Sequence, residues 1–68
     1  MTNTKKLQGK MREKNVSLAK LAGVIGLSTT GLFNKVHGNK EFLVSEVSAI
    51  SKALNLNKKE VDEIFFAK

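Results

Sequence analysis

The sequence predicts an all-α domain of five short helices, and three observations predict it. Apolar residues recur three and four positions apart in five successive stretches of the 68-residue chain. No proline interrupts them. Residues 17–38, SLAKLAGVIGLSTTGLFNKVHG, read as two helices joined by a tight glycine turn.

Each helix has its own local reason. Helix 1, about residues 4–14, carries a thin apolar stripe of Leu7 and Met11 among Lys5, Lys6, Lys10, Arg12 and Lys14. Gly9 inside it costs about 1 kcal/mol relative to alanine, so either another backbone packs closely there or the helix is weak. Helix 2, about 18–25, starts after Ser17, whose hydroxyl can take an unpaired N–H of the first turn. Leu18, Leu21, Ala22 and Ile25 share one face, and Gly26 sits where the chain must reverse. Helix 3, about 29–37, takes Ser28 as its cap and turns Leu32 and Val36 inward. Thr30, Asn34 and His37 fall within about 60° of one another on a different face. Gly38 and Asn39 end it.

Helix 4, about 44–54, has Leu43, Val47, Ile50 and Leu54 as a buried stripe. Helix 5, about 58–67, follows Asn57, with Glu60 placed for a capping box. Val61, Ile64 and Phe65 point inward. Phe66 lies about 100° away, which leaves one of the two rings short of a place in a monomer core.

Composition narrows the function classes. One small domain fits this length. With no cysteine and a single histidine, neither a disulfide nor a structural zinc site is expected, so the fold rests on helix packing, alone or with a dimer partner. No apolar run approaches the length of a membrane span and no export signal is visible, which predicts a cytoplasmic protein. The net charge is +6. In residues 1–40, eight cations face Glu13 alone, a balance of +7, while residues 41–68 hold four lysines against five carboxylates, a balance of −1. The basic half contains the two-helix motif. A polyanion partner is the natural reading, and a solvated basic surface is the plain one. No carboxylate pair, nucleophile–base pair or phosphate loop has catalytic spacing, so an enzyme is not expected. Neither is a cofactor or a small-molecule ligand, because so small a bundle has little room for an apolar pocket.

Two helices held at a fixed angle, the second displaying Asn34, Lys35 and His37, are a common way to place side chains in the DNA major groove. Ala22 in helix 2, Gly26 at the turn and Leu32 in helix 3 stand four and six residues apart. Gly38, the loop ending at Phe42 and the segment ISKALNL at 50–56 follow. On these residues the chain resembles the Cro/CI-type (XRE-like) phage repressor helix-turn-helix family, closely over 17–56 and loosely at the ends.

The resemblance implies a compact five-helix, lambda-repressor-like bundle forming one domain over 1–68, with helix 3 as the recognition helix on operator DNA. By position it implies that Thr29, Thr30 and Asn34 read bases. It makes Ser28, His37, Asn39 and Lys40 phosphate or groove-edge contacts, and lays Ser17 and Leu18 near a phosphate. The chain departs from many relatives in three ways. Threonines stand where longer polar side chains are common. Met11 and Val36 stand where some relatives pair an arginine with an acidic residue. Gly31 interrupts helix 3, where it weakens the helix but allows close approach of DNA or another helix.

Each residue also has a plainer reading. Asn34 either bonds the N6/N7 edge of adenine or is solvated on an exposed helix. Thr29 and Thr30 suit a helix start in any case. His37 is either a phosphate contact or a helix-end cap. Lys35 and Lys40 are phosphate clamps or solvated charges. Phe33, at the edge of the core face, is expected to be partly buried, and Phe33, Phe65 and Phe66 are candidate dimer or partner contacts. The leading expectation is a Cro-like transcriptional regulator of a phage or mobile element, binding double-stranded operator DNA without an effector. A homodimer, at least on DNA, is a further candidate partner, and would read two half-sites. The alternative is a protein–protein module of the same fold, antirepressor- or antitoxin-like, acting on a partner repressor or toxin.

Overall fold

The computed structural model describes residues 2–66, and they form five α-helices in order: α1 (Thr4–Glu13), α2 (Leu18–Ile25), α3 (Thr29–Val36), α4 (Val44–Ala53) and α5 (Lys58–Phe65). No strand occurs among the described residues. The predicted starts coincide with the observed ones. The ends come one residue earlier in α1, α3 and α4, because Lys14, His37 and Leu54 are cap residues. The expected end of the last helix at Ala67 lies outside the described residues; α5 stops at Phe65 with Phe66 as its cap.

Most helices start on a side-chain cap. The oxygens of Asn3, Ser17, Ser28 and Asn57 each accept the N–H three residues on, at 2.8–3.1 Å. Glu60 returns the bond to the Asn57 N–H at 3.0 Å, completing the expected capping box. Helix α4 differs. Leu43 has no side-chain acceptor, so the start is held from one side only, by Glu46 accepting the Leu43 N–H at 2.8 Å.

The first four helices stop in one way. Asn15, Gly26, Gly38 and Asn55 follow the last turns with positive φ of 59°, 77°, 84° and 53°. The next N–H in each case bonds back five residues, as Val16 to Met11, Leu27 to Ala22, Asn39 to Asn34 and Leu56 to Ser51. Asparagine tolerates the left-handed region better than other side chains, so Asn15 and Asn55 do what the two glycines do. After α1, α2 and α4 the following residue is apolar, and Val16, Leu27 and Leu56 fold down onto the core. After α3 it is Asn39, and the chain stays in solvent from His37 to Glu41.

Ten residues form the core: Leu7 and Met11, Leu21 and Ala22, Leu32 and Val36, Ile50 and Leu54, Ile64 and Phe65. Every helix contributes two, since Leu54 caps α4. Helix α2 packs on α3 and α4, α1 packs on α5 and α3, and α4 meets α5. The radius of gyration, 10.5 Å, is close to the ~11 Å expected of a compact domain this size. The expected ion-pair positions, Met11 and Val36, are both buried and apolar. One expectation changes, and one left open at Gly9 is decided. Leu43 does not join the α4 stripe: it sits before the helix, not on it, and is 62% exposed. Gly9 has nothing within 4 Å of where a Cβ would lie, so no backbone packs against it and it only weakens α1.

Candidate functional site

The α2–turn–α3 unit is held from beneath. Leu21 and Ala22 of α2 and Leu32 and Val36 of α3 are all buried, and Ala22 is small enough to let α3 approach. Gly26 reverses the chain at a φ of 77°, where most side chains would be strained. Ser28 then caps α3 through a 3.0 Å bond from the Gly31 N–H. A Cβ on Gly31 would meet that cap oxygen at 3.0 Å and no other helix. The glycine therefore sits against the cap rather than opening a path for a second helix.

With Leu32 and Val36 inward, the outward side of α3 presents Thr29, Thr30, Phe33 and, at its cap, His37, all exposed. Asn34, expected on that face, is half-buried and its carbonyl accepts the Asn39 and Lys40 N–H groups. Ser17, Ser28, Asn39 and Lys40 are exposed and Leu18 is half-buried. Phe33 is 47% exposed, more open than the expected partial burial, because it stands beside the core face and not on it. Its centroid lies 4.1 Å from that of His37, with the planes tilted by 43°. Phe33 and His37 are four apart on a helix, which is the sequence signal for this contact.

Lys35 is a correction. It was expected to clamp a phosphate or to be solvated, but its ammonium lies 2.5 Å from Glu46 Oε1 on α4, with both side chains largely buried. Glu46 was not singled out from the sequence, although its place three residues into α4 was legible as half of a capping box. Burial pushes its carboxyl up. The Leu43 N–H and the Lys35 ammonium outweigh that and hold it below the usual carboxylate range. One carboxylate thus fastens α3, the 37–43 loop and the start of α4 together.

Phe65 lies on the inward face of α5, where its spacing predicts it. It is buried and meets Phe42 edge-on, with centroids 5.4 Å apart, so of the two candidate contact rings on α5 it is the one the core takes. Phe66 is 58% exposed.

The charge is redistributed in space. Lys6 reaches Glu63 at 2.9 Å, and Lys10 pairs with both Glu60 and Glu13. Among the described residues, Arg12, Lys20 and Lys40 have no carboxylate within ion-pair distance. No cluster of three or more potential metal ligands occurs among the described residues, and no helix is long and apolar enough to cross a membrane. No family model, no curated protein and no solved structure matches the chain.

Proposed function

We propose that this protein is a sequence-specific DNA-binding regulator of the Cro/CI type that inserts α3 into the major groove of operator DNA. One observation carries the reading. A short helix is anchored by Leu32 and Val36, displays Thr29 and Thr30 at its N-terminal end, and is fixed to the preceding helix by a left-handed glycine. The exposed Lys20 and Lys40 and the α2 start at Ser17 supply sequence-independent phosphate contacts. Thr29, Thr30 and the accessible part of Asn34 supply the base contacts. The two threonines make a short-range readout that favours thymine methyls and single hydrogen bonds. A dimer on DNA would place two copies of α3 about 34–36 Å apart.

The test is selection from a randomised duplex pool, followed by anisotropy on the winning sequence and on a scrambled duplex at two salt concentrations. A consensus bound about a thousandfold more tightly than the scramble, with affinity falling steeply in salt, is expected. Asn34→Ala should then cost about 1–3 kcal/mol on the best site. Lys40→Ala should weaken all sequences alike and lower the salt slope by about 1. Failure to enrich any sequence, with equal weak binding to both duplexes, would remove the DNA reading and favour the protein-binding module.

A further inference from the structure

An open groove of about 340 Å³ runs between α1, the start of α2 and the end of α3. Its floor is Met11, Val16, Leu18 and Val36, and Phe33 and His37 form one wall. A second depression of about 240 Å³ adjoins it through Met11, Arg12 and Val16 and extends to Ser17 and Lys20. No carboxylate lines either depression. Arg12 lines both, and it and Lys20 are without an ion-pair partner among the described residues. The core does not need the exposed half of Phe33. The sequence anticipated little room for a pocket, yet one opens between three helices, and Val16, folded back after the left-handed Asn15, is part of its lining.

We propose that this groove is a docking site for a segment of another protein: an amphipathic helix with large apolar side chains on one face and carboxylates flanking them. The chemistry selects that occupant in three steps. An apolar floor gives nothing to a phosphate backbone. The open shape leaves a small molecule mostly in water, where buried binding sites cover most of their ligand. A cationic rim with no acid disfavours a basic segment and steers an acidic one. Phe33 is the anchor contact, and Arg12 pairs with the carboxylates while its stem covers the apolar floor. This inference stands whether or not α3 reads DNA.

The test uses designed peptides on the whole chain, followed by ¹H–¹⁵N NMR. One peptide places leucine and phenylalanine at helical spacing among aspartate and glutamate. A second replaces the acids by lysine and arginine. A third keeps the acids and replaces the apolar residues by serine. The first should shift the amides of Gln8, Arg12, Val16, Leu18, Phe33 and His37, and the other two should not. Phe33→Ala and Arg12→Glu, both at exposed positions, should each weaken the first peptide about tenfold or more, with Lys58→Ala unchanged. Equal binding of the serine peptide would reduce the effect to bare charge attraction and overturn the proposal. So would groove shifts that follow protein concentration or added duplex instead of peptide, since the occupant would then be a second copy or DNA.

Discussion

The α1–α5 seam and the α2–α3 unit both present lysines, but only the seam supplies acids to meet them. Along the seam, Lys6 and Lys10 of α1 face Glu63 and Glu60 of α5. In the α2–α3 unit, Lys20 is unmatched and Lys35 is turned away to Glu46 on α4. The lesson concerns charge read by segment. Three of the eight cations in residues 1–40 are neutralised by carboxylates from the second part of the chain. The field that remains on the basic side comes from fewer residues than the sequence count implies. A second contrast follows the helix stops. Those after α1, α2 and α4 end in Val16, Leu27 and Leu56 on the core, whereas α3 ends in an exposed polar loop. The α2–α3 unit thus ends in a solvated loop where the other three stops end on the core.

The largest effect expected from breaking this contrast is at the anchor of α3. Leu32 is fully buried between α2 and α3. Leu32→Ala removes its packing and leaves a cavity, at a cost of about 2–5 kcal/mol. Stability in a small domain is of the order of 5–15 kcal/mol, so urea unfolding should show a midpoint far below that of the parent. A change under about 1 kcal/mol would mean that α3 is not held by this residue.

Glu46 comes next. Glu46→Gln keeps the shape but removes the charge that meets Lys35 and the Leu43 N–H. About 1–3 kcal/mol should be lost at neutral pH. The sign with pH is fixed by the direction of its shift. A carboxyl held below its usual 4.5 in the folded state adds stability above that value and loses it as pH falls through the folded-state value. The gap between parent and variant should therefore be full at neutral pH and close in acid. Parallel stability–pH curves would show that the Glu46 charge has no role in joining α3 to α4.

How much of this was legible in the sequence depends on range. The helix starts were, because Ser17, Ser28 and Asn57 act within three residues of themselves. Gly26 and Gly38 were, because glycine at a helix end has one dominant reason to be there. Asn15 and Asn55 play the same part but are compatible with many local structures. The position of Leu43 was misread because a regular spacing of apolar residues does not say where the helix begins. Of the candidate site, the exposure of Thr30 and His37 followed from helical period. Asn34, set on the same face, is half-buried, and Phe33 is more open than its place at the edge of the core face predicts. The Lys35–Glu46 pair did not, since it spans eleven residues and depends on how α3 and α4 meet. The groove did not either, because a void is set by three helices at once.

The smallest effect belongs to the seam. Lys10 bonds Glu60 and Glu13, and the Glu60 contact raises its pKa, opposed by partial desolvation. The same contact, with the Asn57 N–H, lowers that of Glu60. Yet Lys10 and Glu60 keep 17% and 21% of their side-chain surface, against 14% and 10% for Lys35 and Glu46, and Glu13 keeps 59%. The seam is the more solvated of the two, and holding long side chains in place costs entropy. Lys10→Ala should therefore destabilise less than Glu46→Gln. Its effect should also shrink more as salt is added, because the seam, through Glu13 above all, is more open to ions than the Lys35–Glu46 pair. Thermal unfolding of both variants at low and high salt separates the two cases. If the Lys10 and Glu46 variants lost stability equally and with the same salt dependence, the distinction between a screened seam and a buried fastening under α3 would fail.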